Sequence, residues 1–189
     1  AGVVDGGDTG GTDIQAGAVT IDAKTGVGSV GANGAIDTTI TSLDLDNDTS
    51  GNVDISETDA LNIIKIDQDG TGTVNVTAGG TITVTGPVTS AAGSVVLDAN
   101  GVASSILVNN PVTTTGGAVS LLADHDVTFL AAGDVTSANG NVVVTADADA
   151  AVGVDSGALT MADGTVINAG NGTITLSADE DVTLGQLIT

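Results

Sequence analysis

The sequence predicts an all-β fold, a right-handed parallel β-helix (β-solenoid) with three short strands in each coil of about 21–24 residues. Three observations predict it. A phrase of Gly followed by alternating apolar residues recurs along the chain. Aromatic residues make up only 1% of the 189 residues, with Phe129 alone, so the apolar share comes from aliphatic residues and Ala. Gly, Asn and Asp, which favour turns, separate the apolar segments.

The recurring phrase predicts the first strand of each coil, because its two apolar residues alternate with residues that face the other side of a strand. Copies begin at Gly17, Gly51, Gly72, Gly93, Gly117, Gly140 and Gly172. From Gly51 onward they lie 21 to 32 residues apart, a period typical of solenoids. An antiparallel β-sandwich or barrel is the alternative, but its strands need no such long-period identity, and sandwich cores usually contain aromatic residues.

Two further apolar segments predict the second and third strands. The second-strand pairs are Leu61 and Ile63, Ile82 and Val84, Ala150 and Val152, Val127 and Phe129, and Val182 and Leu184. In the unit that begins at Gly93 the pair comes three residues late, at Ile106 and Val108. The third segment contains Ile66, Val88, Val112, Val135 or Leu187. Pro87 and Pro111 each precede such a segment, and proline is tolerated at the first residue of a strand.

Coils that stack in register place equivalent residues about 4.8 Å apart, which is the strand spacing of a sheet. The core is then a thin column of Val, Ile and Leu with no room for large rings. The right hand follows from the strong preference of parallel crossovers. We interpret residues 1–189 as a single solenoid segment of a longer repeat array.

The charge balance excludes several classes of partner. The chain has 24 acidic residues against two lysines, Lys24 and Lys65, and a net charge of −22. Binding to nucleic acid or to anionic membranes needs Lys and Arg, so neither is expected. No apolar run is long enough to insert into a membrane. The chain lacks cysteine, which removes disulfides and thiolate chemistry and agrees with a secreted protein.

Longer runs of the sequence resemble the repeats of filamentous-haemagglutinin-like adhesins, the giant exoproteins of Gram-negative bacteria. The runs are Gly72-Thr-Val-Asn-Val-Thr-Ala-Gly-Gly-Thr-Ile-Thr-Val and Gly117-Ala-Val-Ser-Leu-Leu-Ala-Asp-His-Asp-Val-Thr-Phe. The resemblance implies a parallel β-helix in a protein that is secreted or exposed on the bacterial cell surface. The Asn-Pro-Asn motifs of that family's secretion domain do not occur, so the export route stays open.

A regular repeat without a unique reactive cluster predicts a structural role, as a stalk or filament segment of an adhesin. Partners are then neighbouring repeats of the same polypeptide or copies that stack end to end into fibres. The alternative is a module that binds a glycan, a host protein or a matrix ligand, with the long unit from Gly140 to Gly172 as its candidate loop.

An enzyme is not expected, although parallel β-helices also include polysaccharide lyases and hydrolases. Lyases need a cationic group beside acidic sugars, and the only candidates, Lys24 and Lys65, lie in separate coils. Trp and Tyr, the usual sugar platforms, are missing. The single histidine, His125, is interpreted as an exposed corner residue, with a metal ligand or general base as the alternative.

One corner predicts a calcium site. Three units carry Asp at the same two distances from their glycine, seven and nine residues on. The candidate ligands are Asp124, Asp147 and Asp179 in one column and Asp126, Asp149 and Asp181 in the other. Stacked carboxylates about 4.8 Å apart repel one another, and calcium accepts six to eight oxygen ligands in flexible geometry. The alternative is that each Asp bonds its own turn and faces solvent.

Overall fold

The computed structural model describes residues 1–6, 11–29, 33–149 and 156–189, and within these ranges the chain is an all-β parallel solenoid. The described residues form no helix, and hence none that is long and apolar enough to cross a bilayer. The predicted fold class is confirmed. Successive coils add one strand each to a first sheet of eight strands, and the seven steps between these strands give a rise of roughly 34 Å.

The first sheet contains two early strands, β1 and β3, and the six strands that the recurring phrase predicts from Gly51 onward. They are β1 (Ile14–Gln15), β3 (Ile36–Thr39), β5 (Val53–Glu57), β7 (Val74–Ala78), β10 (Val95–Ala99), β13 (Val119–Ala123), β16 (Val142–Ala146) and β19 (Ile174–Ser177). Val53, Val74, Val95, Val119 and Val142 stack in register, and all five are fully buried. Alternation at period two sends these side chains inward and their neighbours outward.

The remaining thirteen strands form the second sheet. The first three coils contribute β2 (Ala18–Ala23), β4 (Ser42–Asn47) and β6 (Leu61–Gln68). Later coils contribute second strands β8 (Ile82–Val84), β11 (Ile106–Val108), β14 (Val127–Phe129), β17 (Leu159–Met161) and β20 (Val182–Thr183). Their third strands are β9 (Val88–Ser90), β12 (Val112–Thr114), β15 (Val135–Ser137), β18 (Val166–Asn168) and β21 (Gln186–Ile188).

The cross-section changes along the rod. β2 and β4 are continuous strands of six residues, so the first coils have two sides. β6 carries one extra residue, Ile64, where its register with β4 shifts, and its two halves pair separately with β8 and β9. From β7 onward each coil has the three predicted strands. The copy that begins at Gly17 forms β2 in the second sheet, so its assignment to a first strand is corrected.

The other predicted strand positions can be compared directly with the observed register. Ile106 pairs with Ile82 and Val127, so the three-residue slip after Gly93 is confirmed. The residues predicted for the third strands stack in one column, in which Ile167 lies between Val135 and Leu187. Ala150 and Val152 lie outside the described residues, and Leu159–Met161 occupies the second-strand position of that coil. Phe129 is fully buried between Val108 and Met161.

Candidate functional site

A column of buried polar side chains lies at the end of the third strand, where it meets the glycine that begins the next coil. Its members are Asn47, Gln68, Ser90, Thr114 and Ser137. The Thr114 hydroxyl donates to the Gly93 carbonyl at 2.7 Å and accepts from the Gly117 N–H at 3.1 Å. Each such side chain therefore satisfies backbone groups that the turn leaves unpaired. The sequence pattern marks the glycines but not these partners, although a polar residue ends each of β4, β6, β9, β12 and β15.

The glycines themselves stack in contact with one another. A Cβ atom on Gly117 would lie 2.3 Å from the carbonyl carbon of Gly93, and one on Gly140 would lie 2.1 Å from the carbonyl oxygen of Gly117. Only glycine allows the coils to approach this closely. The column of polar residues and glycines is therefore a structural corner that holds successive coils together, and it leaves no space for a ligand.

The structure brings only some of the predicted calcium ligands near one another. Val127, Leu159 and Val182 stack in register, so the residues that precede them, Asp126, Ala158 and Asp181, also stack. Ala158 therefore lies between Asp126 and Asp181, which are two coil steps apart. Ala158 donates its N–H to the Asp126 carboxylate at 2.9 Å. In the other column, Asp124 is buried with 8% of its surface exposed.

The remaining predicted calcium ligands differ in environment. Asp147 adopts a positive φ of 61° and donates its N–H to the His125 carbonyl. Asp149, Asp179 and Asp181 are exposed, and Asp149 is followed by residues 150–155, which lie outside the described ranges. Within the ranges that the structure describes, no three His, Cys, Asp or Glu side chains lie close enough to hold a metal ion. The calcium site stays a prediction.

His125 lies beside Ser105 and Asp126, a combination that resembles a hydrolase triad in composition. The Ser105 Oγ atom is 3.4 Å from Nδ1 of His125, and the Asp126 Oδ2 atom is 3.2 Å from the same nitrogen. A triad needs the serine and the carboxylate on opposite ring nitrogens, so that one orients the imidazole while the other loses its proton. This arrangement supports a hydrogen-bonded corner, and the expectation of no enzyme stays a prediction.

A flat acidic face covers the outer side of β2, β4 and β6. Asp22, Asp46 and Asp67 stack in register on it, one coil step apart. Lys65 donates to Asp46 at 2.7 Å and lies 3.8 Å from Asp44. The hydrogen bond to Asp46, together with the charges of Asp46, Asp44 and Asp67, raises the pKa of Lys65. These stacked carboxylates lie on the long strands that replace separate second and third strands in the first coils. The sequence pattern does not show which coils have such long strands.

Two further carboxyl groups face outward from the first sheet but are poorly hydrated. Burial raises the pKa of Asp98, which pairs in register with Leu122 and Thr77. Burial also raises the pKa of Asp54, and a hydrogen bond from the Asn75 amide at 2.9 Å partly opposes that shift. Partial burial disfavours the charged form of both carboxyl groups, so the stability of the fold depends on their protonation and hence on pH.

A groove of about 370 Å³ opens at the corner between the first and second sheets in the first three coils. We call it the corner groove. Its polar walls are Gln15, Thr39, Thr41 and Asp59, and its apolar surface comes from Ala16, Ile40 and Ala60. Below it lies Glu57, which is 3% exposed and occupies an inward position that Ala78 takes in the next coil.

The Glu57 carboxyl group joins the two coils beneath the corner groove. Its Oε2 atom accepts hydrogen bonds from the Thr38 hydroxyl at 2.6 Å and the Ile40 N–H at 3.0 Å. Its Oε1 atom accepts from the Asp59 N–H at 3.1 Å. A buried carboxyl group needs such partners to offset its lost hydration. Glu57 continues an ordinary strand phrase, so the sequence pattern does not mark it as a buried residue.

The fold and these sites together define a β-solenoid repeat protein. Comparisons with protein-family models, with curated proteins and with solved structures find no match to this chain.

Proposed function

We propose that this chain is a non-catalytic structural segment, a stalk or filament piece of a bacterial surface protein of the filamentous-haemagglutinin-like class. The observation that supports this role is the in-register stack of strands in the first sheet, from β5 to β16, with the same apolar columns in each coil. A stack of this kind transmits load along its axis through backbone hydrogen bonds and buried contacts, and it lengthens by adding coils.

The proposed partners are neighbouring repeats of the same polypeptide or copies that stack end to end into fibres. In the described coils, each strand of the first sheet pairs in register with the equivalent strands of the coils before and after it, as β13 does with β10 and β16. A further coil of the same kind can pair in the same way, through backbone hydrogen bonds and matching apolar columns.

Electron microscopy of the native surface material, combined with fibre diffraction, tests the structural role. We expect thin unbranched rods with an axial reflection near 4.8 Å, from strands stacked along the rod. Compact particles without that reflection would contradict the proposal.

Surface exposure is tested separately by labelling intact cells with an antibody to this segment. We propose a secreted or surface location because the acidic, cysteine-free composition suits it, with 24 acidic residues and no Cys. Labelling that requires permeabilised cells would refute the location while leaving the rod intact.

A ligand-binding module on the same scaffold is the second candidate. The long insertion between Ala146 and Leu159, partly outside the described ranges, favours it, since loops on a rigid scaffold commonly carry binding residues. Deleting the insertion separates the two roles, because a stalk keeps its length and rigidity while a binding module loses its glycan, host or matrix ligand. Nucleic acid and membranes stay outside the proposed partners, given the net charge of −22.

A further inference from the structure

The corner groove has the dimensions and the construction of a small ligand site. Its volume of about 370 Å³ lies within the usual range for such sites, roughly 300–1,000 Å³. Its two rims belong to different coils, and the Thr39 hydroxyl donates to the Thr58 hydroxyl between them at 3.4 Å. The buried Glu57 carboxyl group holds the backbone of Ile40 and Asp59 in place from below. The groove is therefore a preorganised feature of the fold.

The charges around the corner groove select a cation. Asp59 on its wall and Glu57 beneath it are its ionisable groups, and both are acids. The two lysines are engaged elsewhere, Lys24 with Asp48 and Lys65 with the acidic face. A net charge of −22 adds a long-range field that attracts cations and repels anions. Anionic ligands are therefore disfavoured at this position.

The apolar part of the corner groove suits a short hydrocarbon stem. Ala16 and Ala60 on its walls are exposed, whereas the Ile40 side chain is 4% exposed and belongs to the core. Side chains such as lysine place methylene groups on apolar surface while the ammonium group remains among polar partners. An ammonium group has three N–H donors and no acceptor, which matches walls of carboxylate, hydroxyl and amide oxygens.

We propose that the corner groove binds a primary alkylammonium group, the chemistry shared by a lysine side chain of a partner and a polyamine. The ammonium group donates to the Asp59 carboxylate and its stem contacts Ala16 and Ala60. Glu57 is a positioning residue that acts through the backbone of Ile40 and Asp59. This inference goes beyond the structural role and does not depend on it.

The test is a titration of the ¹⁵N-labelled chain followed by amide chemical shifts. The probes are n-butylammonium chloride, n-butanol and potassium chloride at matched concentration and ionic strength. We expect saturable shifts at Thr39, Thr41 and Asp59 with butylammonium alone, with a dissociation constant on the order of millimolar for so small a ligand. Equal shifts along the acidic face at Asp46 would show general counterion binding and overturn the proposal, as would shifts with butanol.

Variants add a second, independent readout. Asp59→Asn keeps the shape of the wall and removes its charge, and it is expected to weaken butylammonium binding at least tenfold. Asp163→Asn, at an exposed turn elsewhere, is the control with the same change of net charge and is expected to leave binding unchanged. If both variants weaken binding equally, the net charge rather than the groove is responsible.

Two further measurements complete the test. Glu57→Gln keeps the volume, and its far-UV circular dichroism shows whether the coils remain folded. In a folded variant, we expect weaker binding together with altered Ile40 and Asp59 amide shifts before any ligand is added. Spermidine and Nα-acetyl-lysine methylamide then distinguish the two sources of the ammonium group, and failure of both to shift the groove residues would overturn the proposal.

Discussion

At the scale of single residues, substitutions at the glycine corner are expected to destabilise the solenoid, whereas removal of some carboxylates from its outer face is expected to stabilise it. Inside the corner, atoms of successive coils are in contact, so an added methyl group has no space. On the outer face, a high negative charge and partial burial make some carboxylates unfavourable. The two situations predict opposite effects of small substitutions.

Gly117→Ala is expected to destabilise the rod. Its Cβ atom would lie 2.3 Å from the Gly93 carbonyl carbon, a backbone atom that cannot move without shifting a whole coil. We expect a loss of about 2–4 kcal/mol, the size typical of severe overpacking. Urea denaturation measures it. Gly17→Ala is the matched control because no atom lies within 4 Å of its added Cβ, and equal losses in both variants would contradict the explanation.

Asp98→Asn is expected to raise the melting temperature at neutral pH. Because burial raises the pKa of Asp98 in the folded state above its ordinary value of 3.8, protonation favours folding. That contribution is complete below pH 3.8 and is lost as the pH rises through the raised value. After allowance for its partial exposure, we expect the Asn variant to gain about 0.5 kcal/mol, or roughly 1–2 °C, at pH 7.

Comparing melts at pH 7 and pH 3.5 tests this sign, since the advantage of Asp98→Asn should largely vanish in acid. Asp163→Asn removes the same charge from an exposed turn and reports the effect of net charge alone. An equal gain from Asp163→Asn would assign the effect to general repulsion instead of burial.

At the scale of elements, third strands are held to the next coil by polar residues at their ends. Thr114 closes β12 and bonds both Gly93 and Gly117, whereas Thr113 on the same strand faces outward. The two threonines have the same strand propensity but different partners. Comparing them separates the hydrogen bonds from the strand itself.

Thr114→Val is expected to cost about 1–3 kcal/mol, because the change keeps the shape but removes the buried hydrogen bond to the Gly93 carbonyl and leaves the partly buried Gly117 N–H without its acceptor. Thr113→Val serves as the control, with an expected effect within about 0.5 kcal/mol. Chemical denaturation of both variants gives the comparison. Equal stability of the two variants would show that the corner column contributes nothing.

The predicted calcium site depends on how elements stack, because its ligands lie at the ends of strands in successive coils. With Ala158 between them, Asp126 and Asp181, two of the six predicted ligands, are separated by roughly 9.6 Å, two coil steps. The two alternatives for this corner differ in their response to excess chelator: carboxylates that only bond their own turns would leave the melting midpoint unchanged. A midpoint that falls with chelator, recovers with calcium and becomes insensitive in Asp124→Asn would instead establish the site.

At the scale of the whole molecule, stability is expected to vary along the rod, because each coil contacts only its neighbours. Central strands such as β10 and β13 are covered on both sides, while β20 and β21 are exposed. Amide hydrogen exchange should therefore be slowest in β10 and β13 and fastest in β20 and β21. Uniform protection that depends on protein concentration would reveal instead that the end face is covered by association.

Sequence alone was enough for the fold class, most of the inward columns and the glycine corners. These features repeat at a long period, and each copy alternates apolar and polar residues, so one coil predicts the next. The slip at Ile106 and the third-strand column at Ile66, Val88 and Val112 were predicted correctly, because β-branched and apolar residues mark inward positions wherever they recur.

Only the tertiary structure decided which side of the coil each strand joins and which polar groups meet. The copy at Gly17 has the same alternation as a first strand but pairs in the second sheet. The extra residue Ile64 lets the two halves of β6 pair with separate strands, β8 and β9. The lengths of the corners set these relations, and they also place Ser105 beside His125 and Glu57 beneath the corner groove. Alternation is a local property of a strand, whereas register between coils depends on all the residues that separate them.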